Sequence, residues 1–554
     1  MQINYTARSF EEIKADLMTL ASTQLPEWTN RTDSDLGMII TNLFCYAFDI
    51  LNMYIDRSVN ESYLSTAQMR KSAIHILELI NYILAPSTAS SGVIFFGLNP
   101  SATPVSVAKD FKLSTTATTT QNAIPFLLGS AYTLPVGNKG YSLCDAIVDG
   151  EPKIIQLSEG EIPDQYIAGD EIYMYNPSLK IGGKLIIDSV DNLQGWITCT
   201  EDINTSWMSN GATMISKYWI PIVQGEAFTD ILGASSGLTG QSFVIPNYPY
   251  VKDTFIITTK NPVTTEETTW TYFSSLFNAG ATDYAYTYTL DENDQATIKF
   301  GDGINGVVPN EGDIITAYYH TGKGATGNVP AGNINVISDS LSNATFVINP
   351  IGTSGGADRE ELDHARSYAP LSVATNDRCV TIDDYNYFAG NFRGLNGAIA
   401  QAKAISADWK TVNVYVVTED SEGQGAVASD ALKAEVLAFL DTKSMVGVIN
   451  IVLDPTFSDM YVGAEIKVLP NYDTATILNN VRTALLNSRK FDVAGFGVGA
   501  YISDVYALID NLAGVDYVNL TKLNLDNSST AVNIVANAYT ILQLDTANIT
   551  LSSI

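Results

Sequence analysis

Residues 36–55, LGMIITNLFCYAFDILNMYI, carry a single charged side chain, Asp49, in twenty positions. As a helix, a run of this length either crosses a bilayer or is buried among other helices. At 100° per residue, Thr41, Asn42, Cys45, Asp49, Asn52 and Asp56 fall within one arc of about 100°, and the rest of the circumference is apolar. Asp49 at mid-helix would cost about 2.5–3.5 kcal/mol in lipid. Asp33 and Asp35 precede the run and Asp56 follows it, so neither end carries a positive-inside signal. The pattern predicts a soluble helix buried on most of its circumference. One short hairpin offers too few neighbours for that. A partner-chain bundle is therefore expected, meeting Leu36, Ile39, Ile40, Leu43, Phe44, Phe48, Leu51, Tyr54 and Ile55.

Helical signals surround this run. Ser9 and Glu12 have capping-box spacing ahead of a stripe of Phe10, Ile13, Leu17 and Leu20, and Pro26 ends it. Asp33 or Ser34 is the expected cap of the apolar helix. Ser65 with Gln68 is expected to cap a third helix with Met69, Ala73, Ile76, Leu77, Ile80 and Leu84 on one face, up to Pro86. From residue 87 the chain turns Ser/Thr-rich with Pro100 and Pro104, and short strands begin at 93–96. Residues 125–350 alternate in short β-like runs with Gly, Asn and Asp turns. Residues 351–356, IGTSGG, read as a flexible joint, and Asp358 opens a helix with an acidic N-terminal end.

Beyond the joint, strand and helix patterns alternate. Strands are expected at 412–417, 448–453, 461–469 and 515–520, and helices at 431–440, 475–486 and 502–512. The reading is an α+β multidomain chain. It has an N-terminal helical segment (1–86), a central β domain (87–126 and 246–350), an inserted β module (127–245) and C-terminal α+β modules of split βαβ type (351–554). At 554 residues, three or four domains are expected in any case.

Charge narrows the function. Thirty Lys and Arg face 60 Asp and Glu, a net of −30 with no basic cluster, so phosphate backbones repel the chain and nucleic acid is not an expected partner. The first residues, MQINYTARSFEEI, lack the basic and apolar regions of a secretory signal. Cys45, Cys144, Cys199 and Cys379 are scattered without C-x-x-C pairing. They read as small buried hydrophobes in a reducing compartment.

Two glycine sets imitate a dinucleotide fingerprint: Gly301, Gly303 and Gly306 in KFGDGINGVVPNEGD, and Gly322, Gly324 and Gly327 in GKGATG. The fingerprint requires a strand running in and a helix running out, so that helix N-terminal N–H groups face a pyrophosphate. Ala296, Ile298 and Phe300 supply the strand, but Pro309 and Gly312 disfavour the helix, and a second strand follows at 314–319. Gly301, Asp302, Gly303 and Gly306 are thus expected to shape a turn between antiparallel strands. No cofactor is expected.

Chemistry is otherwise sparse. Three histidines stand at 75, 320 and 364. Glu361 with His364 is half of a di-iron helix pattern, and His75 with Glu78 has the reverse order. A solvated helix face is the expectation for both, with no metal. No G-x-S-x-G, H-E-x-x-H or EF-hand loop occurs, and Asp291–Asp294 reads as a turn. No catalytic residue emerges. With 60 carboxylates, acid–base pairs cannot be picked out by sequence.

Three ordered stretches carry a resemblance. The first comprises Tyr5, Arg8, Phe10, Pro26, Trp28, Ser34, Asp35, Gly37, Asp49 and then Glu61, Tyr63, Leu64, Thr66, Ala67, Arg70. The second is Trp270, Phe300 with Gly301, Asp302, Gly303 and Gly306, then Tyr318 and Gly324, Gly327, Asn328, Val329. The third is Asn376, Asp377, Arg378, Val380, Thr381, Asp384, Tyr385, Gly394 and Ala400. In this order they resemble the baseplate J-like wedge proteins of contractile-tailed bacteriophages and related contractile injection systems. The match is weakest over about 127–245.

The resemblance implies a non-enzymatic structural part of a virion tail baseplate, assembled in the host cytoplasm, in wedges around the central hub. It implies a dimer paired through C-terminal portions. It also implies a smaller related wedge protein bound through a helical bundle, contact with sheath-initiator and hub-proximal proteins, and no membrane partner. A receptor-binding or fibre protein and a tail-associated carbohydrate hydrolase are the alternatives.

Overall fold

The computed structural model describes residues 3–553 except positions 7, 33, 81, 83, 101, 102, 120, 162–164, 209–211, 252, 253, 342, 377, 422, 491 and 492. The chain is α+β, with helices first, β-rich sheets in the middle, and helices mixed with strands at the C-terminal end. It divides into two compact units, Met1–Ala85 with Glu360–Asn376, and Pro86–Arg359 with Asp377–Ile554.

The first unit is helical: α1 (Phe10–Gln24), α2 (Leu36–Asn60), α3 (Arg70–Glu78) and α4 (Leu362–Ala374). The capping box forms, with the Ser9 N–H donating to Glu12 Oε2 at 2.8 Å. On the stripe behind it Ile13 is buried, whereas Leu20 is exposed. The cap of α2 is Asp35 and not Ser34; Asp33 lies outside the described residues. One Asp35 oxygen accepts both the Gly37 N–H and the Trp28 indole N–H at 2.9 Å, and a cap that also fixes the incoming Trp outcompetes its neighbour.

Helix α3 also departs from expectation. It starts at Arg70 because the Glu61 carboxylate, not Ser65 or Gln68, takes the Gln68 and Met69 N–H groups, at 3.0 and 3.1 Å. It stops at Glu78, well before Leu84, where Leu79 and Ile80 tighten into i−3 bonds to Ile76 and Leu77. Leu77 and Leu84 are buried with Ala365 and Ala369 of α4, and Leu79 is exposed. Arg366 of α4 donates to the carbonyls of Leu64 and Ala67. The helix expected from Asp358 begins only at Leu362, because Glu360 is drawn into other bonds.

In the second unit, Ser91–Leu98 is buried at every residue, as a strand inside a six-stranded sheet requires. Ile94, Phe96 and Leu98 meet Leu113, Phe126, Ile222 and Val347 on one face. Strands between Ser142 and Ser216 close into a six-stranded barrel filled by Ile155, Ile172, Met174, Leu185, Ile197 and Ile215. A seven-stranded sheet follows, holding Glu226–Ala234 through Ile314–Thr321. Residues 351–356 are no flexible joint. The Thr353 N–H donates to the Val329 carbonyl at 2.9 Å, Ser354 bridges Ser91, and residues 353–356 are buried. Small side chains here allow close packing rather than freedom.

The C-terminal half contains α5 (Ile382–Gly390), α6 (Asp430–Lys443), α7 (Thr474–Ser488) and α8 (Ile502–Asp510). Thr411–Glu419 pairs in parallel with Ile449–Leu453, and α6 forms the crossover between them, a βαβ unit whose two strands are direct neighbours rather than split. Leu432, Val436 and Leu440 of α6 are buried against Val414 and Val416, each burial being worth roughly 1.5–3 kcal/mol. Ile477, Val481, Val505 and Ile509 of α7 and α8 cover a second sheet centred on Tyr461–Val468.

Candidate functional site: an apolar helix face

Helix α2 presents its polar arc to its own unit. The Asp56 carboxylate accepts the N–H groups of Tyr5 and Thr6 at 3.0 and 2.9 Å, and the Thr6 hydroxyl at 2.9 Å. Asn60 exchanges bonds with the Ile3 backbone, and Asn52 donates to the Arg8 carbonyl at 3.4 Å. Cys45 and Met38 are buried, and Thr41, Asn42 and Asp49 are half-buried. The rest of the helix faces outward. Leu36, Ile39, Ile40, Leu43, Phe44, Phe48, Leu51, Tyr54 and Ile55 are 44–72% exposed. The expectation of a helix buried on most of its circumference does not hold within this chain.

Such a face is costly. Each of these side chains would gain roughly 1.5–3 kcal/mol on full burial. Soluble monomers rarely leave apolar patches beyond a few hundred Å² uncovered. Among the described residues α2 is the one helix long and apolar enough to cross a membrane. Its polar arc packs on the extended N-terminal segment and on α1.

The first glycine set shapes the backbone. Gly303 and Gly306 lie at φ +89° and +92°, and the Gly303 N–H donates to the Gly306 carbonyl at 2.8 Å. A Cβ on Gly301 would sit 2.3 Å from the Gly306 main chain. Asp302 Oδ1 accepts the N–H groups of Ile304 and Asn305 at 2.9 and 2.7 Å, and the Asn305 and Ile304 bonds hold the carboxyl below the usual carboxylate range. The flanking strands are not antiparallel partners, because three strands lie between Ala296–Phe300 and Ile314–Thr321. Spanning four strand spacings takes about 19 Å, so the segment is a crossing loop that begins with a tight turn. It is tied down by Gly306 N–H to Gly280 (3.1 Å) and Gly312 N–H to Ser235 (2.9 Å). In the second set, Gly324 opens a one-turn helix whose Ala325 N–H donates to Asp358 Oδ1 at 3.0 Å. The chain's own carboxylate occupies the place a phosphate would need.

His75 lies on an exposed face beside Glu78, as read from the sequence. His364 does not simply face solvent. Its Nδ1 is 2.7 Å from Oε1 of Glu360, which is buried, rather than from Glu361, and its ring stacks on Tyr368. Tyr82 Oη and the Ala85 N–H also donate to Glu360, at 2.6 and 2.9 Å. Burial pushes this carboxyl up, but the bonds from His364, Tyr82 and Ala85 outweigh it and hold it below the usual range. The i,i+4 spacing of Glu360 and His364 was the available signal, and sequence reasoning missed it.

His320 is buried too. Its Nε2 lies 2.7 Å from Tyr318 Oη, which is 2.6 Å from Asp110 Oδ2. One hydroxyl proton cannot serve two acceptors, so Tyr318 donates to Asp110 and His320 carries its proton on Nε2. Asp291 Oδ1 accepts the Asn293 and Gln295 N–H groups, the turn expected there. A polar cavity of about 440 Å³ is lined by Gly169, Asp170, Glu171, Lys217, Tyr218 and Trp219, with Lys217 paired to Asp170 at 2.9 Å.

Residues 6–79, the stretch that forms α1 to α3, match the family model described as bacteriophage baseplate protein, N-terminal domain. The chain is similar to baseplate wedge proteins. It is 24% identical over 225 residues to baseplate wedge protein gp6 of Enterobacteria phage T4, which covers 36% of this chain and 32% of the relative. The chain thus spans about a third of the length of that curated relative. Two solved assemblies overlap it loosely. The baseplate of the anti-feeding prophage aligns with a TM-score of 0.32 at 11% identity, over 96% of this chain and 90% of that one. The type VI secretion system TssK-TssF-TssG baseplate subcomplex aligns with a TM-score of 0.35 at 10% identity, over 74% and 96%.

Proposed function

We propose that the chain is a structural, non-enzymatic component of a contractile-tail baseplate, forming wedges around the central hub and linking them to the sheath-initiating end. The observation that carries this is the outward apolar face of α2, inside the segment that matches a baseplate N-terminal domain. On this reading Leu36, Ile39, Ile40, Leu43, Phe44, Phe48, Leu51, Tyr54 and Ile55 meet helices of a smaller related wedge protein. Sheath-initiator and hub-proximal proteins touch other surfaces. The C-terminal region (351–554) joins two copies of the chain. The protein resides in the virion tail after assembly in the host cytoplasm.

The test places Phe44→Asp, Phe48→Asp and Leu51→Asp together in the full chain and asks for complementation of baseplate assembly. Expected is an unchanged melting temperature, because these side chains touch little of their own chain, and loss of assembled baseplates. Normal baseplates from the triple variant overturn the proposal. No observation favours the receptor-binding or carbohydrate-hydrolase alternative; turnover of cell-wall or capsule polymer by the purified chain would establish the latter.

A further inference from the structure

The chain passes between its two compact units three times, after Ala85, before Glu360 and after Asn376. The helical unit is therefore assembled from two separate pieces of chain, residues 1–85 and 360–376. Helix α4 makes up most of the second piece, and both ends of that piece lead into the other unit. While α4 stays docked, residues 1–85 are held through all three passages. Without it, the Ala85–Pro86 peptide is their one covalent tie to the rest of the chain.

The docking contact of α4 is thin in apolar area. Ala365 and Ala369 are its buried side chains, set against Leu77 and Leu84, whereas Leu371 and Val373 are exposed. Helix α6, by contrast, is anchored by Leu432, Val436 and Leu440. Polar groups hold α4 instead. Arg366 donates to the carbonyls of Leu64, at 3.0 Å, and Ala67. Arg70 donates to the Glu360 carbonyl at 2.6 Å, and the Glu360 carboxylate takes Tyr82 and the Ala85 N–H. Such bonds are replaced by bonds to water when the contact opens, which an apolar contact does not allow. At 13 residues with Pro370 inside, α4 is also marginal as an isolated helix.

On the far side of the crossing the chain is fixed. Thr88 pairs with Ala357 and Ser91 with Ser354, so the two passages run antiparallel as they enter the second unit. Arg393 donates to a carbonyl of each, Pro86 at 3.2 Å and Asp358 at 2.6 Å. Opening therefore falls on the Glu360 side. We propose that α4 is a latch: docked, it holds residues 1–85 through three passages, and released, it leaves them free to reorient about the Ala85–Pro86 link. The freed piece carries the apolar face of α2. On the function proposed above, the latch sets how freely that face reaches its partner, but the latch itself stands or falls without that reading.

The experiment uses the purified full chain and needs no partner. In the wild type, amides of residues 362–374 should exchange together, at least about tenfold faster than those of residues 36–60. Arg366→Ala, alone and with Glu360→Ala, should speed exchange over 362–374 at least about tenfold more, while residues 36–60 and the second unit keep their protection. Spin labels at Thr23→Cys and Val263→Cys, both exposed, then report freedom between the pieces; the four native cysteines are buried and do not compete. The distance distribution between the labels should at least about double in width in the double variant. Exchange of 362–374 and 36–60 as one cooperative block in the wild type overturns the latch, and that measurement needs no variant to fold. Opening of α4 in the variants with no broadening of the distances overturns it too.

Discussion

Asn60 and Ile3 hold each other by both polar ends of one amide: the Ile3 N–H donates to Asn60 Oδ1 at 3.0 Å, and Asn60 Nδ2 donates to the Ile3 carbonyl at 2.7 Å. With Asp56 bonding Tyr5 and Thr6 one turn earlier, the C-terminal end of the polar arc of α2 is tied to the first residues of the chain. The apolar side of α2 takes no part in these bonds and stays exposed. Asn60→Ala with Asp56→Ala should free the first residues. Each lost bond is worth about 0.5–1.5 kcal/mol, and amide exchange at Ile3, Tyr5 and Thr6 should rise at least tenfold while the second unit keeps its protection. Unchanged exchange at these amides would refute the role given to the pair.

Glycine geometry, not ligand contact, should govern the 301–306 turn. Gly306→Ala forces a side chain to φ +92°, and Gly301→Ala drives a Cβ into main chain. Each should cost about 1–3 kcal/mol. Gly137→Ala, at φ +74° with open space around it, should cost less than Gly301→Ala. Millimolar nucleotide should leave the melting temperature of the wild type unchanged, because a ligand bound only to the native state must raise it.

Acid should loosen the first unit through Glu360. Its carboxyl is held below its ordinary value in the folded chain, so the unfolded chain binds the proton first as pH falls. The stabilisation is complete above the ordinary value of 4.5 and is lost as pH drops through the lower folded value. Glu360→Gln should therefore flatten the fall in stability of this unit as pH drops below 4.5, read by thermal melts across pH. An unchanged slope would show that other groups set the acid response.

Histidine adds a second acid-sensitive point in the other unit. Burial lowers His320, whereas Asp110 raises it and Lys109 lowers it. The Nε2 proton is already committed to Tyr318, and Nδ1 is buried without a partner. Protonation would place an unpaired donor there, so stability should decline as pH falls below the ordinary value of 6.5. Titration of the C2 proton resonance should give a midpoint below 6.5, and His320→Gln should remove that part of the pH dependence.

An ionic ladder is expected to respond to salt. Lys184 pairs with Glu171 at 3.0 Å and with Asp430 at 2.6 Å, and Lys433 pairs with Asp430 and Asp454, both at 2.9 Å. These groups are partly exposed, so Lys184→Met should cost no more than about 1 kcal/mol, and the difference from wild type should shrink as salt is raised. A loss that is independent of salt would point to packing by the lysine stem instead.

Local signals in the sequence were read well where one or two neighbouring residues decide the outcome. The Ser9–Glu12 box, the aligned Leu432, Val436 and Leu440, and the Asp291 turn are contests settled within one helical turn or one loop. The apolar circumference of α2 was legible for the same reason, since periodicity is a property of the helix alone. The expected caps at Ser34 and Ser65 do not form because other acceptors compete: Asp35 serves Trp28 as well as Gly37, and Glu61 reaches seven residues ahead.

Tertiary structure alone decided which side of α2 faces inward. Periodicity divides a helix into two faces but does not say which one the rest of the chain will take. Here the main-chain donors of residues 3–6 chose the polar arc, because Asp56 and Asn60 offer the acceptors that these N–H groups can use. Strand order was equally hidden. A hairpin between Ala296–Phe300 and Ile314–Thr321 looked natural from spacing, yet three strands lie between them, since ladder partners are chosen over the whole sheet. Neighbouring residues alone were enough to specify an apolar helix and a glycine turn. Non-local hydrogen bonds decided where each one faces.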